Sequence, residues 1–249
     1  MKKILTTLLY ISLVFVLSGC NNFIIPHEAM IETETLNYIS TVVINSNLKV
    51  NTSTYEYIFG MKKEGPIKGS GSGVVIKKET VNYNTYYYLL TNYHVIMLSD
   101  KYQHEYRVED IYSNVAIAEV VAKDKKYDLA ILKFQSSQNI EAMELANEDP
   151  NIGQLVFSIG NPSGKQNIIT AGKILSLQNI DKVEYQVIVH EAVIKNGSSG
   201  SMLINEEYKI VGLNTWGFTE DKNSDDYVKG GATPVMMIKQ FLTEQQFEI

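Results

Sequence analysis

The feature that most constrains this chain of 249 residues is a set of three short strings in a fixed order. A histidine lies in TNYHV, an aspartate in YDLAIL and a serine in GSSGS, and these residues are His94, Asp128 and Ser199. Together the three residue types can form a nucleophilic triad. Unrelated folds that use this chemistry differ in the order of the three residues along the chain. The order found here therefore restricts the fold as well as the chemistry.

Each of the three residues has a chemical role that suits its type. A serine hydroxyl is a poor nucleophile until a neighbouring base takes its proton, and a histidine titrates near neutrality. We therefore assign Ser199 as the nucleophile and His94 as the general base and then acid. Asp128 would orient the imidazole ring and stabilise its charged form. It directly precedes the apolar run LAIL, which predicts a buried strand, and a carboxylate at that place needs a partner.

The strings around His94, Asp128 and Ser199 resemble the motifs of the chymotrypsin-like serine peptidases, and within that family those of the bacterial HtrA/Deg-type branch. Four further strings are similar to motifs of that branch: Gly71–Val75, Ile159–Pro162, Thr170–Ile174 and Gly212–Thr215. The resemblance extends over residues 40–240. It implies an all-β fold of two six-stranded antiparallel Greek-key β-barrels with a C-terminal helix. The site would lie in the cleft between the barrels.

The resemblance also implies an oxyanion hole formed by the backbone N–H groups of Gly197 and Ser199. The family frame usually reads Gly-Asn-Ser-Gly-Gly, whereas here Ser198 replaces the asparagine and Ser201 replaces the last glycine. These two serines are competing nucleophiles, but only Ser199 fits the Gly-x-Ser-Gly frame. The glutamyl-endopeptidase branch carries Gly-Ser at the end of this frame and is the nearest enzymatic alternative.

Two further segments correspond to substrate contacts of the family. Val193, six residues before the nucleophile, corresponds to the base of the S1 pocket, and Ile194 follows it. Because no acid lies there, we expect small or medium aliphatic P1 residues and no cleavage after Lys or Arg. Thr215, Trp216 and Gly217 correspond to the strand that pairs with the substrate backbone by β-addition.

Composition excludes several other classes of protein. The formal net charge of −6 and the single arginine, Arg107, argue against nucleic-acid binding. The histidines show no metal-ligand spacing, so we expect no metal and no organic cofactor. We interpret His27, His104 and His190 as surface or structural residues. Cys20 is the only cysteine, which excludes an intramolecular disulfide.

The N-terminus has the pattern of a targeting segment over residues 1–19. Lys2 and Lys3 precede an apolar run from Ile4 to Leu17, and the segment ends in Leu-Ser-Gly before Cys20. This pattern resembles a bacterial lipoprotein signal, which implies that the cysteine becomes the lipidated N-terminus. We therefore expect an anchor on the extracytoplasmic face of the cell membrane.

We expect a tether over residues 20–37 and a trypsin-like protease domain over residues 38–249. The domain divides into barrel 1 at about 38–146, barrel 2 at about 147–234 and a C-terminal helix at 235–247. β-branched and aromatic runs between turn residues predict the strands, the first at Thr41–Ile44. Apolar spacing from Met236 to Phe247 predicts the helix. We expect no PDZ domain after it.

The expected function is that of a lipid-anchored, extracytoplasmic serine endopeptidase in HtrA-like protein quality control or processing. Its partners would be protein or peptide substrates and, through Cys20, the membrane. The resemblance also implies homo-oligomers, since members of this branch often form trimers. Two alternatives stay open: a secreted glutamyl-endopeptidase-like protease, and a catalytically inactive surface lipoprotein that uses a protease fold for binding.

Overall fold

The computed structural model describes residues 23–24, 33–219 and 228–249. These residues form two β-barrels and a C-terminal helix. Within these ranges no helix is long and apolar enough to cross a membrane. Cys20, His27 and the predicted signal segment lie outside the described residues.

Two short elements precede the first barrel. Strand β1 (Phe23–Ile24) pairs in parallel with a strand of the second barrel, with Phe23 opposite Ile169. Helix α1 (Thr33–Thr41) follows. The segment predicted as a tether, residues 20–37, thus contains β1 and the first residues of α1.

The predicted strand at Thr41–Ile44 is wrong. Thr41 ends helix α1, and Val43–Ser46 forms a 3₁₀ turn. Ile39 and Val43 are both buried and both belong to the main core cluster. Residues four apart lie on the same side of a helix, so helical geometry lets both side chains reach the core. This burial outweighs the β-propensity of the run Thr-Val-Val-Ile.

The first barrel is closed by six antiparallel strands in the order β2-β3-β4-β7-β6-β5. They are β2 (Asn47–Ile58), β3 (Met61–Val81), β4 (Asn84–Asn92), β5 (Gln103–Glu109), β6 (Val115–Asp124) and β7 (Leu129–Gln135). A short helix, α2 (Tyr93–Ile96), follows β4 directly. The fourth strand of the barrel returns beside the first, which is the Greek-key arrangement.

The second barrel repeats this topology in the order β8-β9-β10-β13-β12-β11, and a β8–β9 pairing closes the ring. Its strands are β8 (Leu155–Gly160), β9 (Ile168–Gln178), β10 (Val187–His190), β11 (Met202–Ile204), β12 (Ile210–Phe218) and β13 (Lys229–Pro234). Strand β1 pairs with the beginning of β9, at Ile169 and Thr170, before β9 pairs with β10. The predicted fold of two six-stranded barrels is confirmed.

One hydrophobic cluster joins the two barrels and the C-terminal helix, α3 (Val235–Glu244). Leu90 of the first barrel and Phe157 of the second both belong to it, as do Ile238 and Phe241 of the helix. Since these side chains share one core, the barrels and the helix are packed as a unit. The loops that carry the predicted triad meet along the contact between the barrels.

Candidate active site

His94 lies on the short helix that follows strand β4. Asn92 ends the strand in an extended conformation, and Val95 and Ile96 anchor the helix because both are buried in the first barrel. The imidazole points the other way and is 47% exposed. The local sequence thus places a histidine ring at the surface of a rigid turn.

Asp128 holds His94 through two hydrogen bonds. Its Oδ1 accepts the backbone N–H of His94 at 2.9 Å, and its Oδ2 lies 2.6 Å from His94 Nδ1. A carboxylate accepts, so Nδ1 carries the proton and Nε2 is left with the lone pair of the neutral ring. His94 and Asp128 are therefore brought together in the arrangement that a general base requires.

The backbone of Asp128 is fixed in an uncommon conformation. Its φ of 53° lies in the left-handed region, which aspartate tolerates better than most residues. The carbonyl oxygen of Asp128 accepts the N–H of Tyr93 at 3.0 Å and Nδ2 of Asn92 at 2.9 Å. The neighbouring carbonyl of Tyr127 accepts the hydroxyl of Tyr185, from the second barrel, at 2.9 Å. These three hydrogen bonds to the backbone of Tyr127 and Asp128 thus set the position of the carboxylate.

The serine string forms a tight loop between β10 and β11. Gly197 has a φ of 94°, in the left-handed region. The loop is held at both ends, since the N–H of Ser198 donates to Lys195 O at 2.8 Å and the N–H of Gly200 donates to Asn214 O at 2.9 Å. Within the described part of the chain, the N–H groups of Gly197 and Ser199 have no hydrogen-bond acceptor. Two donors next to the predicted nucleophile are thus available to a ligand.

The three serines of the loop differ in what their hydroxyls do. Ser198 is buried and its Oγ accepts the N–H of Lys195 at 3.1 Å. Ser201 is fully buried and its Oγ accepts Nδ2 of Asn214 at 2.9 Å. Ser199 is half-buried, and its hydroxyl forms no hydrogen bond with any described residue. Of the three, Ser199 has the hydroxyl most available for reaction.

Strand β3 brings the backbone of Ser199 close to Val95, the residue that follows His94. A side chain at Gly71 would lie 2.7 Å from Val95 Cγ2 and 2.9 Å from the carbonyl oxygen of Ser199. The residue after the histidine and the predicted nucleophile therefore approach the same point of the first barrel, and only a glycine leaves room for both.

The predicted substrate strand has one open edge. Strand β11 pairs with β12 only as far as Leu213, while β13 covers the other edge opposite Trp216 and Gly217. Beyond Leu213 that edge has no partner strand among the described residues. Thr215 Oγ1 accepts Nδ2 of Asn92 at 3.0 Å, and the Trp216 ring lies 6.5 Å from the Tyr185 ring. The open edge therefore begins directly beside the Asp128 side of the site.

The two residues predicted to form the base of S1 differ in burial. Ile194 is buried, whereas Val193 is half-buried and its carbonyl accepts Oγ1 of Thr170 at 2.9 Å. Both precede the serine loop and neither carries a charge. The two side chains predicted to line the base of S1 are thus both apolar.

Sequence reasoning missed a buried polar network beneath the serine loop. His190 is fully buried, and its Nε2 lies 2.8 Å from Oδ1 of Asn214. The amide nitrogen of Asn214 donates to Ser158 Oγ at 2.8 Å and to Ser201 Oγ at 2.9 Å. Since Nδ2 donates twice, Oδ1 accepts and His190 must be the donor at Nε2. Burial lowers the pKa of His190 to about 4, so the ring is neutral near pH 7.

Asn214 links this network to the loop backbone. Its N–H donates to Ser201 O at 2.8 Å and its carbonyl accepts the N–H of Gly200. The sequence offered a weak signal, since Asn214 is a polar residue in the apolar string IVGLN. The partners of a buried amide cannot be read from its neighbours in the chain.

Comparison with known proteins agrees with this architecture. The sequence pattern described as the trypsin-like peptidase domain matches residues 71–213, more than half of the chain. A probable periplasmic serine endoprotease DegP-like of Buchnera aphidicola subsp. Baizongia pistaciae is 30% identical over 189 residues, covering 74% of this chain and 38% of that protein. The periplasmic serine endoprotease DegP of Escherichia coli is 28% identical over 190 residues, covering 72% of this chain and 36% of that protein.

Among solved structures, the serine endoprotease from Yersinia pestis superposes with a TM-score of 0.63 at 24% identity. The match covers 87% of this chain and 68% of that chain, and it supports the fold alone. The chain spans less than half the length of the curated relatives that it matches. From the matched domain and the shared fold, the chain belongs to the trypsin-like peptidase family, and its relatives are serine peptidases of the HtrA/DegP type.

Proposed function

We propose that this chain is a serine endopeptidase that hydrolyses peptide bonds through an acyl-enzyme on Ser199. The observation that carries the proposal is the Asp128 carboxylate, which binds both the backbone N–H and Nδ1 of His94. Few structural roles require a carboxylate to fix both the position and the tautomer of an exposed imidazole. The loop that bears a free serine hydroxyl lies beside this pair.

The proposed reaction uses these groups in turn. His94 Nε2 takes the proton of Ser199 Oγ while the oxygen attacks the carbonyl carbon of the scissile bond. The N–H groups of Gly197 and Ser199 stabilise the oxyanion. The C–N bond then breaks, and His94 gives its proton to the leaving amine. Water, activated by the same histidine, hydrolyses the ester and releases Ser199. No metal or organic cofactor takes part in this scheme.

For the substrate, we propose an extended peptide that adds to the open edge of β12 at Thr215, Trp216 and Gly217. Val193 and Ile194 favour a small or medium aliphatic P1 residue. Cleavage of a denatured protein, followed by mass spectrometry of the products, tests this preference. Cleavage mainly after Glu would instead identify the glutamyl-endopeptidase-like alternative.

For the location, we propose the extracytoplasmic face of the membrane, with the anchor at Cys20. Two observations support this: relatives of the chain are named periplasmic, and the N-terminus resembles a lipoprotein signal. We also propose a role in protein quality control or processing and a trimeric assembly, both from the resemblance to the HtrA/Deg-type branch. Metabolic labelling with a fatty acid should mark the wild type and leave Cys20→Ala unlabelled. Equal labelling of both would remove the anchor from the proposal.

The first experiment is labelling with a fluorophosphonate probe, read by intact mass. We expect one adduct on the wild type, none on Ser199→Ala, and one on Ser198→Ala and Ser201→Ala. The last two variants control for the competing hydroxyls of the same loop. An absence of adduct on every form would favour the alternative of a catalytically inactive protein that binds through a protease fold.

A further inference from the structure

Ser72 of the first barrel is the residue through which strand β3 reaches the serine loop of the second. It lies in the string GSGSG and is fully buried. Its backbone N–H donates to Ser199 O at 2.8 Å, and its carbonyl accepts Oγ1 of Thr91 at 2.7 Å. Thr91 lies three residues before His94, so one residue connects the strand that leads to the base with the loop that bears the nucleophile.

The side chain of Ser72 makes two further hydrogen bonds with defined direction. Its Oγ donates to Gly197 O at 2.9 Å and accepts the N–H of Asn161 at 2.8 Å. A carbonyl can only accept and an amide N–H can only donate, so the single hydroxyl hydrogen must point at Gly197. The hydroxyl therefore acts on the peptide that follows Gly197 and is itself oriented by Asn161.

The peptide that precedes Gly197 is held independently. The N–H of Ser163, in the 3₁₀ turn Pro162–Gly164, donates to Asn196 O at 2.6 Å. In a trans peptide the carbonyl and the following N–H point in opposite directions. Gly197 N–H is therefore directed away from the Pro162–Gly164 turn. With both flanking carbonyls bound, the left-handed conformation of Gly197 has little freedom to change.

We infer that Ser72 is a positioning residue that fixes the Gly197 peptide and so orients the oxyanion-hole donors. This inference rests on the proposed function, because an oxyanion hole matters only in an acyl-transfer enzyme. The side chain of Ser72 touches no reacting atom. Its effect passes through Gly197 O, while its backbone N–H supports Ser199 O on the other side of the hole.

The test compares Ser72→Ala with Ser70→Ala in the full-length protein. Ser70 lies on the same strand two residues away and is exposed, and its hydroxyl has no hydrogen-bond partner among the described residues, so it is a matched control. For Ser72→Ala we expect kcat and the rate of fluorophosphonate labelling to fall together by about 10- to 100-fold, with KM within threefold of the wild type. Ser70→Ala should match the wild type in all three quantities.

Amide hydrogen exchange of residues 195–201, followed by mass spectrometry, provides a readout that does not depend on activity. We expect faster exchange in this segment of Ser72→Ala and unchanged exchange in the first-barrel strands β5 and β6. If exchange in the loop is unchanged, or if kcat is retained while the melting temperature falls, Ser72 is a packing residue and the inference is wrong. If the loop loosens but the wild type shows no labelling, the positioning role holds for the loop and the proposed function fails.

Discussion

The two sides of the candidate site are held in different ways. On the first barrel, His94 and Asp128 are fixed mainly by groups within the same barrel: the carboxylate binds the histidine twice, and the Asp128 carbonyl binds Tyr93 and Asn92. All of these residues lie at the adjoining ends of β4 and β7, which pair directly. The side that carries the base is therefore largely a local structure.

The side that carries Ser199, the proposed nucleophile, depends on groups from other parts of the fold. Its loop is held by Ser72 of the other barrel, by Ser163 of the turn after β8 and by Asn214 of the substrate strand. None of these residues is near the loop in sequence. The difference implies that His94 can be in place while the proposed oxyanion donors are not. We therefore expect changes in packing between the barrels to lower activity mainly by displacing the serine loop, and less by displacing His94.

The largest effect should come from Asp128→Asn, which changes the carboxylate that binds His94 within the first barrel. Asparagine tolerates the left-handed backbone as well as aspartate does, so the turn should keep its shape. The amide no longer favours the tautomer with the proton on Nδ1, and we expect kcat to fall by about 10⁴-fold with little change in KM. Steady-state kinetics on a peptide substrate would measure this.

The matched control for that variant is Asp124→Asn, at the last residue of β6, directly before the turn that leads to Asp128. Asp124 Oδ1 accepts the N–H of Lys126 at 2.7 Å, and an asparagine oxygen can do the same. Its kinetics should equal those of the wild type. If Asp128→Asn kept more than a tenth of the wild-type kcat, the carboxylate would not be setting the tautomer of His94.

The next largest effect on kcat should come from a change in the serine loop. In Gly197→Ala, a β-carbon would lie 2.8 Å from Asn161 O and 3.1 Å from the Ser163 nitrogen, at a φ of 94°. The peptide must shift, and losing one oxyanion donor lowers kcat by about 10²- to 10³-fold. Parallel measurements of kcat and of the melting temperature would detect the loss of activity and any loss of stability.

Gly153→Ala separates backbone strain from displacement of the donor. Gly153 has a similar φ of 86°, but a β-carbon there meets nothing within 4 Å. We expect this variant to lose some stability and to keep its kcat. Similar losses of kcat in both variants would show that general destabilisation, and not the position of Gly197, accounts for the effect.

The same difference explains what the sequence could predict. His94, Asp128 and Ser199 were recognisable because each lies in a short string that resembles a motif of a known family. Ser72 lies in the family-like string Gly71–Val75, but nothing in that string indicated its hydrogen bonds, because its partners Gly197 and Asn161 lie far along the chain. The strand predicted over Thr41–Ile44 failed for a related reason, since packing against the core decided the conformation of a β-branched run.

A third prediction uses the buried histidine, which sequence reasoning left as surface or structural. Burial lowers the pKa of His190 from 6.5 to about 4. Between these values the unfolded chain binds a proton that the folded chain does not, so stability is complete above pH 6.5 and falls as the pH drops toward 4. The contribution amounts to about 3 kcal/mol of the free energy of unfolding.

In His190→Gln this part of the acid sensitivity should be absent. Denaturant unfolding at pH 7 and pH 4.5 measures it, and the difference between the two values should be smaller than in the wild type. His104→Gln is the comparison: burial also lowers the pKa of His104, but the ring is only half-buried, so we expect this variant to change the pH dependence less than His190→Gln does. An unchanged pH dependence in His190→Gln would assign the acid sensitivity to carboxylates elsewhere.

The smallest effect tests whether the position of Asp128 depends on the second barrel. Tyr185 comes from the second barrel, yet its hydroxyl donates to Tyr127 O, next to Asp128. Burial raises the pKa of Tyr185 to about 12, so the phenol keeps its proton and its hydrogen bond over the range in which the enzyme would work. Tyr185→Phe keeps the ring contact with Trp216 and removes this bond together with the 3.3 Å contact between the hydroxyl and Thr233 Oγ1.

We expect Tyr185→Phe to lower the free energy of unfolding by about 1–2 kcal/mol, the contribution of the two hydrogen bonds of the hydroxyl. Because the carboxylate keeps both bonds to His94, kcat should change far less than in Gly197→Ala. Tyr83→Phe, at a fully exposed turn, should leave both quantities unchanged. A fall in kcat comparable with that of Gly197→Ala would contradict the comparison, since the position of Asp128 would then depend on the second barrel as strongly as the serine loop depends on the first.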